Sequence, residues 1–353
     1  MSETRSTAVP RWAVILAGGV GSRFWPASTA ARPKQLLPLG AGPSLIRDAW
    51  ERARRLVGDD RVLVLAGPEL VAPFRAAVPE LTDARFLLEP VARSTGPVLV
   101  RAAAEIERRE PGAVMISLHA DHLIDPFAAL AGTVDRACAA AVRRDSLVCL
   151  GVPPVRAETG YGYLETGAER DPGVHAVRCF REKPDAETAR AFAADGRHLW
   201  NTGIFVWRAR DLVAAARLHT RELDAAFPRL DAGDADGFLH LAEPVSVDVG
   251  VLERADNVEV AVASFRWDDV GTWEALARTR PADGAGNVAV GVAEVVDGRR
   301  NVVWTEEGRV VLFGVDDLVV VRAHGETLVT RRDLAAQLKR LLAALPEREE
   351  DGT

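Results

Sequence analysis

"VILAGGVGSRFWPASTAARPKQLLPLG", residues Val14–Gly40, decides how the rest of the chain is read. It starts inside an apolar run, Trp12–Ala17, of the kind that forms a parallel strand covered on both faces. The run breaks into Gly18, Gly19 and Gly21, followed by Ser22, Arg23, Pro26 and a second cation, Lys34. Glycines let a backbone approach a ligand closely and turn its N–H groups toward an anion. Open α/β sheets bind ligands beyond the carboxyl ends of their strands, which is where this loop falls. An arginine fork and a lysine point charge both suit phosphate oxygens. Two better-known glycine loops fail. A P-loop needs GxxxxGK[ST], and no such lysine follows Gly18 or Gly19; a dinucleotide fingerprint needs a third small residue where Phe24 stands, and Pro26 interrupts the helix that should follow. Taken alone, the stretch also fits a flexible β–α turn with solvated basic side chains.

The rest of the chain narrows the choice. Its 353 residues suggest two domains, and 48% hydrophobic with 27% charged residues describes a soluble globular protein. A net charge of −7 argues against a general nucleic-acid or membrane-surface binder. Cys138, Cys149 and Cys179 form no CxxC, which points to a reducing compartment. With no secretory apolar segment and no run approaching ~18 apolar residues, a cytoplasmic location is expected.

Further strand-like runs are Arg61–Ala66, Arg85–Leu88, Val114–Leu118, Leu147–Val152, His175–Phe180, Gly203–Trp207 and Val258–Phe265. Helical segments fill the gaps; Leu45, Ala49, Ala53 and Leu56 share one face, and Asp125-Pro126 reads as an N-cap with proline at the first helical position. Alternation of this kind predicts an α/β fold with a Rossmann-like, mostly parallel mixed sheet over residues 1–280. From Pro281 the pattern changes. "PADGAGN" reads as a linker, and Asn287–Val296, Asn301–Trp304, Arg309–Phe313 and Leu318–Arg322 read as strands without helices between them. No tandem repeat is evident. Thr330 and Asp333 form a capping-box pattern ahead of a leucine stripe, Leu334 to Leu345, so a small β-rich domain over 281–353 is expected to end in an amphipathic helix.

The composite of Gly19, Gly21, Arg23, Trp25-Pro26, Ser28 and Pro33-Lys34-Gln35 resembles the signature of the sugar-1-phosphate nucleotidyltransferases, in the variant carried by guanylyltransferases that act on mannose 1-phosphate. That resemblance implies a GT-A-type nucleotidyltransferase fold with a β-helix-like C-terminal region that mediates dimerisation. It also implies transfer of GMP from GTP to α-D-mannose 1-phosphate, giving GDP-mannose and pyrophosphate with Mg2+ as cofactor. Other sugar 1-phosphates, such as those of glucose or a heptose, other nucleoside triphosphates, and a catalytically silent regulatory homologue are the alternatives. The retained charges of Arg23, Lys34, Asp121, Lys183 and Asp269 argue against a silent homologue.

Later motifs extend the resemblance as far as about Leu276. His119-Ala120-Asp121-His122 resembles the family's PADH element with histidine in place of proline, and Trp267-Asp268-Asp269-Val270-Gly271 resembles its WxDxG element. The resemblance makes Asp121 and Asp269 the metal ligands, and these with Arg23 and Lys34 the catalytic set. A separate His119/Asp121/His122 metal cluster lacks an evident third partner in the sequence beyond its weak HxxH-like spacing. Leu16, Ala17, Gly18, Gly19, Gly21 and Ser22 are expected against the nucleotide with Arg23 and Lys34. Glu89-Pro90 with Arg93-Ser94-Thr95-Gly96-Pro97 resembles EPxxRNTAP, departing at Ser94 and Gly96, and adds Glu89, Arg93 and Thr95 to the nucleotide set. A carboxylate at Glu89 matches the two adjacent donors of guanine, N1–H and N2–H, and repels the carbonyls of uracil and thymine. For the sugar phosphate, Gly162 in a GYGY loop, Glu182 and Lys183 in an EKP element, Asn201 in an NTG element and Asp248 are the candidates.

Overall fold

The computed structural model describes residues 9–19, 21–40 and 42–345, so the outer ends of the two expected domains lie outside the described residues. By contact the chain forms two compact units: one holds the chain up to Gly18 and Ile46–Trp267, the other Gly19–Leu45 and the chain from Asp268 onward.

The first unit is built on a nine-stranded sheet. In chain order its strands are β1 (Arg11–Leu16), β2 (Val62–Ala66), β3 (Phe86–Leu88), β4 (Val114–His119), then, after a short strand β5 (Leu123–Asp125), β6 (Leu147–Val152), β7 (Tyr163–Asp171), β8 (Val174–Arg181), β9 (His198–Arg208) and β10 (Val258–Val262). Their spatial order is β3-β2-β1-β4-β9-β6-β10-β8-β7. β1 runs parallel to both β2 and β4, whereas β9 runs antiparallel to β4 and β6. Only β9 and β8 oppose the other seven strands, so the expected mostly parallel mixed sheet is present. β2 and β6 are buried at every residue, which is why they read as unbroken apolar runs. The chain order reverses at β1, where Leu16 sits beside His119 in the ladder. Ligands of doubly wound sheets bind at such a switch point.

Three local expectations fail. β9 starts at His198, five residues before the expected strand, so Asn201 lies in a ladder opposite Gly151 rather than in a turn. Tyr163–Asp171 is a strand, unrecognised because "YLETGAERD" is polar over most of its length. Asp125 does not cap the next helix, Phe127–Arg144, whose N-cap is Pro126; Asp125 ends β5 and pairs with Arg266.

The C-terminal part of the second unit is a short parallel coil. Val288–Val290, Val302–Thr305 and Leu318–Ala323 stack in parallel, Glu326–Arg331 adds antiparallel, and Ala293–Val296 pairs with Val310–Phe313 in a second sheet. Successive coils place Val288 on Val302 on Val319. A buried asparagine ladder holds the turns: Asn301 donates from its backbone N–H (2.9 Å) and side chain (3.1 Å) to Asn287 Oδ1, and its own Oδ1 accepts from Leu318 N–H (3.0 Å). The repeat that sequence reading missed is this pair of Asn-Val dipeptides, Asn287-Val288 and Asn301-Val302. Thr330 lies in a strand, not at a cap. A 3-10 turn, Arg332–Gln337, precedes a short helix, Leu338–Ala344, and of the expected stripe Leu338 is buried while Leu334 and Leu345 are exposed.

Gly291 breaks the expected run Asn287–Val296 in two. Its φ is +85°, and a Cβ there would stand 2.0 Å from the carbonyl oxygen of Thr305 on the next coil. Gly291→Ala is expected to destabilise this unit by about 2–4 kcal/mol, read as a lower urea midpoint at constant slope. An unchanged midpoint would contradict the turn.

Candidate functional site

In the first unit the loops beyond the carboxyl end of β4 and the amino end of β9 build one polar cluster. Asn201 is 8% exposed and its backbone N–H donates to Gly162 O (2.8 Å). Its side-chain amide donates to Asp248 Oδ1 (2.8 Å), while its Oδ1 accepts from Gly203 N–H (3.1 Å). Gly162 has no room for a side chain: a Cβ would meet Glu182 Oε2 at 2.6 Å and Asn201 Cβ at 3.4 Å. Glu182 and Lys183 follow directly on β8; the Lys183 ammonium lies 2.6 Å from Glu182 Oε1, and its backbone, held in the left-handed region at φ 45°, donates to Tyr161 O (3.2 Å). Gly162, Glu182, Lys183, Asn201 and Asp248 are thus brought together as expected. Burial, reinforced by the charge of Glu182, pushes the Asp248 carboxyl up to about 7, against the pull of the Asn201 amide. Near neutral pH it exists as both donor and acceptor, a pairing suited to sugar hydroxyls.

Gly203 links this cluster to the motif ending β4. Its φ is +69°, and a Cβ would lie 2.9 Å from His119 Nε2 and 3.7 Å from His122 Cε1. His119 and His122 stack with ring centroids 4.5 Å apart, and one ring nitrogen of each and an Asp121 carboxylate oxygen fall within 4.8 Å of one another. Asp121, the carboxylate of that candidate cluster, therefore lies close to both rings, with its Oδ1 4.0 Å from His122 Nε2. Tyr161 packs edge-on against Trp200 and Trp267, forming an aromatic wall to the same cluster.

The Glu89–Pro97 motif is also in the first unit. Glu89 is half-buried after β3, its backbone N–H donating to Ala66 O (2.9 Å), and burial pushes its carboxyl up to about 7, with Arg101 opposing the shift. Thr95 opens helix Thr95–Arg109, and its hydroxyl accepts from Val247 N–H (3.0 Å), one residue before Asp248. Of the two departures from the motif, the one at Gly96 has a backbone cause, and nothing in the structure explains serine at 94. Gly96 donates to Val245 O (2.9 Å) and a Cβ there would stand 2.7 Å from that oxygen; Ser94 holds φ 66°. Arg93 spends its guanidinium on carbonyls at the end of helix Ala235–Leu241, donating to Leu239 O and His240 O at 2.9 Å each. Leu16 and Ala17 close the ladder of β1, and Gly18 has no heavy atom within 4 Å of where a Cβ would be.

In the second unit the glycine loop and the WxDxG element meet. Lys34 is 6% exposed, its ammonium donating to Asp269 O (2.9 Å) and lying 5.4 Å from the Phe24 ring. Gly21, at φ +69°, leaves the space that Lys34 fills: a Cβ there would be 2.3 Å from Lys34 Cβ. Gln35 donates to Gly19 O (3.0 Å), Ser28 to Gly21 O (2.8 Å), and Trp273 to Trp25 O (3.0 Å). Ser22 and Arg23 form a single 3-10 turn that leaves Arg23 exposed. Asp268 is not interchangeable with Asp269: it is buried, paired with Arg278 (2.8 and 3.1 Å), and accepts from Val270 N–H (2.8 Å).

Residues 12–285 match the family model for nucleotidyl transferase. The chain belongs to the nucleotidyl transferase family. Residues 292–345 match the model described as a MannoseP isomerase/GMP-like beta-helix domain, which fits the parallel coil. Among curated relatives, a mannose-1-phosphate guanylyltransferase of Escherichia coli is 31% identical over 350 residues, 95% of this chain and 74% of its own length. The xanthan biosynthesis protein XanB of Xanthomonas campestris is 32% identical over 94% of this chain and 72% of its own. A solved structure described as mannose-1-phosphate geranyltransferase from Thermus thermophilus superposes with a TM-score of 0.86 at 33% identity, covering 94% of this chain and 98% of that one. This nucleotidyl transferase contains no helix, among the described residues, that is long and apolar enough to cross a membrane.

Proposed function

We propose that this nucleotidyltransferase transfers GMP from GTP to α-D-mannose 1-phosphate, releasing pyrophosphate and GDP-mannose. The observation that carries the reading is the convergence of Glu182, Lys183, Asn201 and Asp248 beside the His119–Asp121–His122 turn, two carboxylates, an amide and an ammonium at the switch-point end of the sheet. Relatives named for this reaction support it.

A phosphate oxygen of mannose 1-phosphate attacks the α-phosphorus of GTP in line; the new P–O bond forms as the bond to the bridging oxygen of the β-phosphate breaks. Lys183 orients the attacking phosphate, and Glu182, Asn201 and Asp248 hold the sugar hydroxyls. Arg23 and Lys34 offset charge on the triphosphate, with the backbone of Leu16, Ala17, Gly18, Gly19, Gly21 and Ser22 against it and Thr95 supporting the segment that carries Asp248. Asp121, and Asp269 as the family resemblance assigns it, would hold a divalent cation, Mg2+ in the first instance, which would supply charge that screens the repulsion between the phosphates. One carboxylate with substrate oxygens and water is a sufficient set for such an ion, and Asp121 presents its carboxylate at a partly open turn. GTP is a cytoplasmic substrate, which suits a cytoplasmic enzyme, and the exposed Val311 and Phe313 of the parallel coil suit a homodimer.

Pyrophosphate release from each of four nucleoside triphosphates with mannose, glucose and fucose 1-phosphates tests the reading. GTP with mannose 1-phosphate is expected to exceed every other pair by at least about tenfold. A different preferred pair would overturn it.

Glu89 supplies a pH signature. Guanine's two donors favour the ionised carboxylate, so binding lowers a pKa that stands near 7 in the free protein. Affinity for GTP therefore rises as pH increases from 6 to 8, by up to roughly tenfold per unit below the pKa. Glu89→Gln is expected to flatten that profile and to erase the preference for GTP over UTP in equilibrium binding; a wild-type profile in the variant would remove Glu89 from base recognition.

A further inference from the structure

We propose that His119 makes the Asp121 turn a mixed nitrogen–oxygen cation site, selective for borderline divalent ions such as Mn2+, Co2+ or Zn2+ over Mg2+. The inference rests on the reading that Asp121 serves a divalent cation, and names the class of ion. His119 stands where the motif this turn resembles has proline, a residue with no side-chain donor atom. It is the last residue of β4, beside Leu16 of β1. Its ring lies against Gly203, and any side chain at 203 would strike it at 2.9 Å. Asn201, through its bond to Gly203 N–H, ties that glycine to the sugar-phosphate cluster.

The two histidines have different roles. Trp267 Nε1–H is a donor only, and it lies 3.2 Å from His122 Nδ1. The lone pair of Nδ1 is thereby engaged, so neutral His122 carries its hydrogen on Nε2, 4.0 Å from Asp121 Oδ1. His122 has no nitrogen lone pair left for a metal; it packs on the His119 ring beside Asp121. His119 is the nitrogen ligand. Ligands about 2.1 Å from a shared ion stand up to about 4 Å apart. With one ligand atom of His119 and one of Asp121 inside 4.8 Å of each other, a small rotation of Asp121 closes the pair. Mg2+ favours oxygen and its own water, whereas imidazole binds Mn2+, Co2+ and Zn2+ with increasing strength along the first-row series.

The test is pulsed electron paramagnetic resonance on the full chain with Mn2+, alone and with α,β-methylene-GTP, together with competition by Mg2+. The wild type is expected to show a single imidazole 14N coupling and to hold Mn2+ about tenfold more tightly than Mg2+. His119→Ala, and His119→Gln as a second variant should the first fold poorly, lose both the coupling and the preference, and Asp121→Asn loses Mn2+ altogether. Mn2+ bound with oxygen couplings only, or a 14N coupling that survives in the His119 variants, would overturn the inference while leaving the cation reading intact. No bound Mn2+ in either state would overturn both.

Discussion

Asp121→Asn lowers turnover about 1,000-fold and leaves the thermal midpoint within a few degrees of wild type, a loss equivalent to about 4 kcal/mol of transition-state stabilisation. The two halves of this expectation come from different features. The Asp121 side chain is 30% exposed, at the turn after β4 and outside the sheet core, so removing its charge breaks no packing. Its carboxylate faces His122 and lies within the His119 cluster, beside the residues assigned to the sugar phosphate. A neutral amide keeps the shape and one acceptor but not the charge that a cation requires. Steady-state pyrophosphate release with thermal unfolding in parallel checks both. Near-normal turnover would remove Asp121 from the chemistry; a collapse of the midpoint would make it a structural residue.

Gly21→Ala and Gly18→Ala are expected to fail for opposite reasons. At Gly21 the new methyl would sit 2.3 Å from Lys34 Cβ on a backbone at φ +69°. Lys34 is buried, with its ammonium on Asp269 O, so it cannot retreat without breaking that bond. The variant is expected to lose roughly 100-fold or more in kcat/KM, through displacement of the cation proposed to serve the triphosphate, together with a lowered thermal midpoint. At Gly18 a methyl meets nothing within 4 Å, and its φ is not in the left-handed region. Gly18→Ala therefore folds with an unchanged midpoint, and its KM for GTP is expected to rise about tenfold if the proposed nucleotide lies against this backbone. Unaltered kinetics in Gly18→Ala would mean that the ligand does not approach this backbone; a wild-type midpoint in Gly21→Ala would mean that Lys34 is more loosely held than its burial implies.

The sheet was legible where its strands are covered on both faces. β2, β4 and β6 are apolar almost throughout, and the continuous pattern leaves little freedom of assignment. Polar strands were not legible. Tyr163–Asp171 carries mostly exposed or half-exposed side chains, and the part of β9 that bears Asn201 is defined by its ladder with β6 and β7, a long-range pairing no local pattern records. The capping box at Thr330 misled because the antiparallel pairing of Thr330 with Val319 overrides a local helix signal. The five sugar-phosphate candidates were legible as motifs, yet their mutual contacts were not, since Gly162, Glu182, Asn201 and Asp248 come from four separate segments. Lys34 was read from its charge and its Pro-Lys motif as a phosphate ligand with Arg23; its burial against Asp269 depends on Gly21, which only the backbone angle reveals. The departure at Gly96 became explicable once the Val245–Val247 segment was seen lying against it.

The central claim is a single in-line displacement organised by charge and position, with no covalent nucleophile. Exchange of labelled pyrophosphate into the nucleotide tests it most directly. With GDP-mannose present the label is expected to enter GTP through the reverse reaction; with GTP alone, and no sugar phosphate, none should enter. Label entering GTP without any sugar phosphate, or failing to enter when GDP-mannose is supplied, would contradict the account.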